Sequence, residues 1–183
     1  MNSLHFERLT TTSDPRFARA MILYTQSFPP HEQRESASQR AIMTHPAYRF
    51  LLVCDGDMFV GLMLCWETDD FVYVEHFCIV AELRNRHYGA RALSLLAQGG
   101  KRVILEIDPP VDDLSRRRRG FYERAGFVAN PFRHVHPPYH AGCGGHDLVV
   151  MSHTSVLSAP DYARFNEFLS QTVMRGATDS AHD

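Results

Sequence analysis

At 183 residues the chain has the size of one average domain, so a single folded unit over 1–183 is expected, with a core that needs no metal or disulfide staple. Hydrophobic residues at 44% and charged residues at 22% exclude a disordered or collagen-like chain. A balance of 19 basic against 21 acidic residues, net charge -2, leaves no global field to recruit nucleic acid or an anionic membrane. Lys101 is the only lysine, a bias that points to no function. No run approaches the ~20 apolar residues of a membrane helix; the longest stretches are cut by Asp55-Gly56-Asp57 and Asp69-Asp70, and residues 1–10 carry no signal-peptide core. Cys54, Cys65, Cys78 and Cys143 lack paired spacing and three sit in apolar runs, as reduced cysteines do in a cytoplasmic protein.

In chain order, Leu4 to Arg8 alternates as a first strand. Asp14-Pro15 caps a helix whose apolar face is Phe17, Ala20, Met21, Tyr24 and Phe28, stopped by Pro29-Pro30. A polar helix, read as a lid or flank, follows over 32–43. Tyr48 to Cys54 and Met58 to Trp66 form a hairpin around Asp55-Gly56, which tolerates positive φ. Phe71 to Val80 is a nearly continuous apolar strand. Tyr88, Ala92, Leu95 and Leu96 face one side of a helix closed by Gly99-Gly100, and Arg102 to Ile107 is a strand. Leu114, Phe121, Tyr122 and Ala125 make another helical stripe, with Gly126 at the left-handed cap. Phe127 reopens an extended segment, Asp147 to Ser152 is the last strand, and Ser158 caps a terminal helix over 159–174, followed by a tail, 176–183, expected to be disordered. The predicted order is β-α-α-β-β-β-α-β-α-β-β-α, an α/β or α+β chain with a mixed sheet.

The strand ending at Val80 runs through a short turn into a helix whose first turn is Arg84-Asn85-Arg86-His87-Tyr88-Gly89-Ala90. Leading helix amides have no internal partner and lie at the positive end of the helix dipole, so a pyrophosphate docks there, with arginines adding charge and small residues admitting the backbone. The plainer reading is an ordinary strand–helix connection with a solvated arginine pair. A second motif, Arg117-Arg118-Arg119-Gly120-Phe121-Tyr122-Glu123-Arg124-Ala125-Gly126-Phe127, ends a helix in Gly and re-enters a strand at Phe.

In this order the two motifs resemble the central motifs of the GNAT superfamily, the acetyl-coenzyme A-dependent N-acetyltransferases. The resemblance spans about residues 4–152 and leaves the last helix as an addition. It implies a GNAT-like twisted mixed sheet of about six to seven strands flanked by helices. The turn resembles the Arg/Gln-x-x-Gly-x-Gly/Ala signature as Arg84-x-x-His87-x-Gly89, with His87 in the place of a glycine, and Ser115 stands where many members carry asparagine. By this resemblance Arg84, Asn85, Arg86, His87, Tyr88, Gly89 and Ala90 bind the diphosphate of acetyl-coenzyme A, and the backbone of Phe77, Cys78 and Ile79 holds its pantetheine arm.

Acetyl transfer from a thioester to an amine needs an oriented thioester, a neutral amine, a polarised carbonyl and a protonated leaving thiolate. Tyr122 matches the family's tyrosine that protonates the coenzyme sulfur. A phenol pKa of about 10 against a thiol near 8.5 makes that donation only modestly uphill; its other reading is a core aromatic. Glu75, sharing a strand face with Tyr73, Phe77 and Ile79, is the preferred base, directly or through water, against a buried ion pair with an arginine. His76, on the opposite face, is a less favoured base, and Glu106 or Asp108 on the next strand are substitutes.

His134, His136, His140, Cys143 and His146 crowd a Pro/Gly-rich loop, but H-x-H-x3-H-x2-C-x2-H matches no closed zinc pattern, so no metal is assigned and metal binding in 134–146 stays an alternative. Arg116 to Arg119 spread around a helix and make no nucleic-acid stripe. A non-catalytic acyl-coenzyme A sensor is the other alternative. The expected acceptor is a small-molecule or peptide amine, bound near 24–43 and 131–146, by a monomer or homodimer without nucleic-acid or membrane partners.

Overall fold

The computed structural model describes residues 3–178. Its elements are β1 (Leu4–Leu9), α1 (Pro15–Ser27), a 3-10 turn (Pro30–Glu32), α2 (Ser36–Ala41), a 3-10 turn (Ile42–Thr44), β2 (Tyr48–Asp55), β3 (Met58–Glu67), β4 (Phe71–Ile79), a 3-10 turn (Ala81–Leu83), α3 (Tyr88–Ala97), β5 (Arg102–Ile107), α4 (Asp113–Arg124), β6 (Phe127–Ala129), β7 (His134–His136), β8 (His146–His153) and α5 (Ala159–Phe168), which widens into a π turn over Leu169–Val173. Eight strands among the described residues exceed the six to seven expected. The extra one is β7, whose three residues are too few to show a period. By its contacts the described chain divides into two compact units, residues 3–29 with 41–103 and residues 30–40 with 104–178.

In the first unit β1 to β4 form an antiparallel meander, with Leu4 opposite Asp55 and Tyr48 opposite Trp66. Gly56 turns the β2–β3 hairpin at φ 57°. Asp14 caps α1 by accepting from Arg16 N–H at 2.9 Å, and Phe17, Ala20 and Tyr24 bury the helix face, Phe17 meeting Phe50 with ring centroids 5.5 Å apart. The β3–β4 register slips between Leu64–His76 and Cys65–Val74, so Glu75 is the extra residue of a β-bulge. At Gly61 a Cβ would lie 2.4 Å from the Cys78 carbonyl oxygen, so the two strands approach too closely there for any side chain.

In the second unit Ile104 to Ile107 of β5 pair antiparallel with β8, which also pairs with β6 and β7. Buried Asn130 joins these pieces, donating to the Ser152 hydroxyl at 2.9 Å and accepting from Leu157 N–H at 2.6 Å. The polar helix expected over 32–43 is broken: only α2 is α-helical between its two 3-10 turns. The break lets Arg34 turn inward, 3% exposed, where it donates to the Val173 carbonyl at 2.8 Å. On α4 the inward residue of the first turn is Ser115, not Leu114, which is 67% exposed. The capping box explains the difference: Asp112 accepts from Ser115 N–H at 2.7 Å while the Ser115 hydroxyl accepts from Asp112 N–H at 3.1 Å. Ser158 caps α5, accepting from Asp161 N–H at 3.2 Å. Of the tail expected to be disordered, residues 179–183 lie outside the described residues, while Ala177 is buried and donates to Met174 O at 3.1 Å.

Candidate functional site

In the first unit β4 leads through the Ala81–Leu83 turn into α3. Leu83 N–H and Arg84 N–H return to Val80 and Ala81, and the first helical bond is Arg91 N–H to His87 O at 3.0 Å. Among the described residues, the N–H groups of Asn85 through Ala90 donate to no backbone carbonyl. Asn85 and His87 both take the left-handed conformation, at φ 61° and 63°, and Arg84 to His87 are exposed. The structure thus explains why a glycine suits position 87: the backbone there is left-handed, and a histidine occupies it at some steric cost. Its imidazole makes no cap bond to the helix. Tyr88 anchors the turn, its hydroxyl donating to Asp55 Oδ2 at 2.9 Å and its ring lying 5.5 Å from the Arg91 guanidinium. That carboxylate raises the Tyr88 phenol pKa.

Along β4, Val80 N–H bonds Val60 O at 3.0 Å. Antiparallel alternation then turns the backbone of Cys78 toward Leu62 on β3, and that of Phe77 and Ile79 to the opposite edge. Consistent with this, the Ile79 carbonyl accepts from Arg84 Nε at 3.3 Å. The Cys78 thiol is pushed up to about 11 by burial and is no nucleophile. The Oε2 of Glu75 accepts from the indole N–H of Trp66 at 2.7 Å. Trp66 is fully buried, so the carboxylate is held by a rigid donor. His76 is packed away, 4% exposed, with its ring 4.9 Å from Tyr24 and 4.7 Å from Phe28.

In the second unit Tyr122 lies half-buried on α4, its ring 5.1 Å from Phe121 and 5.8 Å from Phe127. Glu106 of β5 has a side chain only 5% exposed and meets His134 Nε2 through Oε1, while His136 Nε2 lies 3.9 Å from Oε2. Tyr162 donates to Arg133 O at 3.1 Å, so its oxygen accepts from His134 Nδ1, 2.9 Å away. Burial, then the Glu106 charge, raises the Tyr162 phenol. His136 Nδ1 donates to Pro137 O at 2.6 Å. Asp108, at the end of β5, accepts from Arg118 at 2.6 Å and borders a pocket with Pro109, Val111, Leu114, Ser115 and His146. Arg116 and Arg119 pair with Asp113 and Glu123 on the exposed helix face.

A family model for the acetyltransferase (GNAT) family matches residues 17–127. A solved GNAT-family protein from Bacteroides thetaiotaomicron is 31% identical, with TM-score 0.87 over 93% of this chain and 98% of its own. The chain belongs to the GNAT acetyltransferase family. The GNAT fold recurs at lower identity in the ribosomal-protein-S18-alanine N-acetyltransferase from Escherichia coli, 16% identical with TM-score 0.56 over 86% of this chain and 97% of that one. It recurs again in Naa50 from Arabidopsis thaliana, solved with the bisubstrate analogue CoA-Ac-MVNAL, 16% identical with TM-score 0.56 over 84% of this chain and 99% of that one. No curated protein matches the chain.

Two sets of partners in this GNAT chain escaped the sequence reading. Trp66 as the donor to Glu75 follows from the β3–β4 pairing, which a three-residue connection between long strands could have signalled. The His134 and His136 pair lies beyond the family-model match, and its H-x-H spacing already puts both rings on one face of a strand. Of the five loop residues, only these two converge; His140 bonds Pro30 O at 2.8 Å, Cys143 is exposed, and His146 joins Asp108.

Proposed function

We propose that this GNAT enzyme moves an acetyl group from acetyl-coenzyme A to a primary amine of a small molecule or peptide, by direct attack in a ternary complex. The observation that carries the proposal is the turn after β4, where consecutive backbone N–H groups are exposed beside Arg84 and Arg86 at a helix N-terminus. That arrangement fits a diphosphate, which takes several N–H donors and positive charge at once. The backbone of Phe77 and Ile79, turned away from β3 toward the β5 side, fits the amide-bearing pantetheine arm as an extended ligand fits a strand.

In the proposed step Glu75 takes a proton from the acceptor ammonium, directly or through water, and the nitrogen lone pair attacks the thioester carbonyl carbon. The C–S bond breaks with its electron pair on sulfur, the Tyr122 hydroxyl gives its proton to the thiolate, and the proton that the acylated nitrogen sheds returns to the Tyr122 phenolate through water, so the products are the amide, the free thiol and the proton held by Glu75. The Trp66 indole keeps the Glu75 carboxylate in one orientation through the cycle. Three buried free cysteines fit a reducing cytoplasm.

Thiol release tests the reading. Mixed with acetyl-coenzyme A and a panel of primary amines, the protein should release coenzyme A thiol in proportion to acetylated amine, and Glu75→Gln should lose the acidic limb of the pH–rate profile. Coenzyme binding with no release across the panel would make the chain a sensor instead, and a retained acidic limb would remove Glu75 as the base.

A further inference from the structure

Within the second unit, side chains from three places in the chain bring metal-ligand atoms together. His31 and Glu32 are consecutive in the 3-10 turn before α2, and His146 opens β8. Their ligand atoms all lie within 4.8 Å of one another. Asp108, from the end of β5, adds a fourth oxygen, its Oδ1 3.6 Å from His146 Nε2. His31 Nε2 lies 3.7 Å from Glu32 Oε1. These two separations are too long for hydrogen bonds. They are close to the edge of a tetrahedron whose ligands stand 2.0–2.2 Å from a zinc ion, about 3.4 Å.

We propose that His31, Glu32 and His146, with Asp108 as an additional carboxylate, form a divalent transition-metal site that takes Zn2+. Two imidazoles with one or two carboxylates suit Zn2+, Ni2+ or Co2+, whereas Mg2+ and Ca2+ select oxygen-only sets. The framework is held in advance of the ion. Gln33 N–H bonds Pro30 O at 3.1 Å, and His140 donates to the same carbonyl at 2.8 Å while its other nitrogen faces Glu35 at 3.3 Å. His146 is fixed by its strand register opposite His136. Arg118 holds the other Asp108 oxygen, which leaves Oδ1 directed at His146. Closure from 4.8 Å asks for about 1 Å of side-chain movement, which the two imidazoles supply, with side-chain exposures of 63% for His31 and 41% for His146. His134 and His136 do not compete for the ion, since their side chains are 0% and 5% exposed against Glu106. The four-donor set is open to solvent on the His31 side, so a water completes the shell and the ion exchanges.

The test uses the full chain without a histidine tag. Titration with ZnCl2 by calorimetry should give one saturable site per chain, and Co2+ should give visible d–d bands of four- or five-coordinate geometry. His31→Ala and His146→Ala should each weaken Zn2+ binding by roughly 100-fold, as loss of a direct ligand must exceed the 10–100-fold lost with supporting partners. Cys143→Ala should leave it unchanged. Because both histidines lie at the surface, the metal-free melting temperatures of the variants should equal that of the parent, which separates loss of the site from loss of fold. Equal Zn2+ affinity in the parent and both histidine variants, or no saturable binding below about 0.1 mM, overturns the proposal.

Discussion

His87 pays for its place with backbone strain. A β-carbon at φ 63° costs about 1 kcal/mol or more, and histidine is among the few side chains that enter this region without forcing a rearrangement. His87→Gly should therefore leave folding stability unchanged or raise it by up to about 1 kcal/mol, measured by urea unfolding. It should also tighten coenzyme A in calorimetry, because the backbone is then free to approach the diphosphate. Weaker coenzyme binding in the glycine variant would mean that the imidazole itself donates to the ligand. Tyr122 supplies a sharper contrast. Its ring packs between Phe121 and Phe127, and Phe in its place keeps that packing while deleting the hydroxyl. Tyr122→Phe should lower kcat by about 100-fold with coenzyme affinity within about twofold of the parent, the range for one lost proton donor. Equal kcat in the two proteins would leave Tyr122 as a core aromatic alone. Both positions were legible because type and spacing mark them; what Tyr122 and Glu75 touch was not. A carboxylate on an apolar strand asks for a partner, and nothing in the sequence marks the indole of Trp66 as one.

Strands and helices with strong local punctuation were read close to their true bounds. Asp14-Pro15, Asp55-Gly56 and Ser158-x-x-Asp161 each act within three residues, so the chain states them without help from tertiary contacts. The failures need distant partners. The expected 32–43 helix gives way because Arg34 is drawn to the Val173 carbonyl, 139 residues away, and β7 exists only because β8 offers it an edge. The bulge at Glu75 belongs to this second kind, and so does the close approach further along the same ladder, where Gly61 faces Ile79. With the Cys78 carbonyl oxygen 2.4 Å from where a Cβ would stand, and backbone rather than a flexible side chain as the obstacle, β3 and β4 must separate to admit a methyl. Gly61→Ala should destabilise the fold by about 1–3 kcal/mol, the range for overpacking a closed site, with an unchanged urea m-value. A change below about 0.5 kcal/mol would show that the ladder yields freely at this point. Ser115→Ala tests the cap of α4 in the same way. It deletes one half of a reciprocal box at a residue 5% exposed, and should cost about 1 kcal/mol.

For the molecule as a whole, family and fold class were open to sequence reading because they rest on ordered motifs, whereas charge pairing across the surface depends on which chain segments meet. That pairing sets the response to acid. Arg16 holds the Asp14 carboxyl down to about 2, Lys101 with Arg49 lowers Glu67, and His5 with Arg16 lowers Glu7. The Ser115 amide and hydroxyl lower Asp112 in the other unit. Each of these groups binds its proton more weakly folded than unfolded. Its contribution is therefore complete above the unfolded value near 4 and is lost as pH falls through the folded value. Glu32 has the opposite sign: burial, then the Asp108 charge, raises it, so acid relieves a small cost there. Four lowered carboxylates outweigh one raised one. The thermal midpoint should stay level from about pH 7 to 5 and fall continuously from about pH 4 to 2, where the Asp14 carboxyl protonates. Glu67→Gln should start from a lower midpoint at neutral pH and lose less of it on acidification, because it has no charge left to surrender. Salt at 1 M should reduce the Asp14 and Glu7 share, since those pairs lie at the surface, where dissolved ions reach both partners. A midpoint that holds or climbs between pH 4 and 2.5 would mean that relief at Glu32 and general charge effects dominate, and that the arginine and lysine pairs add no stability.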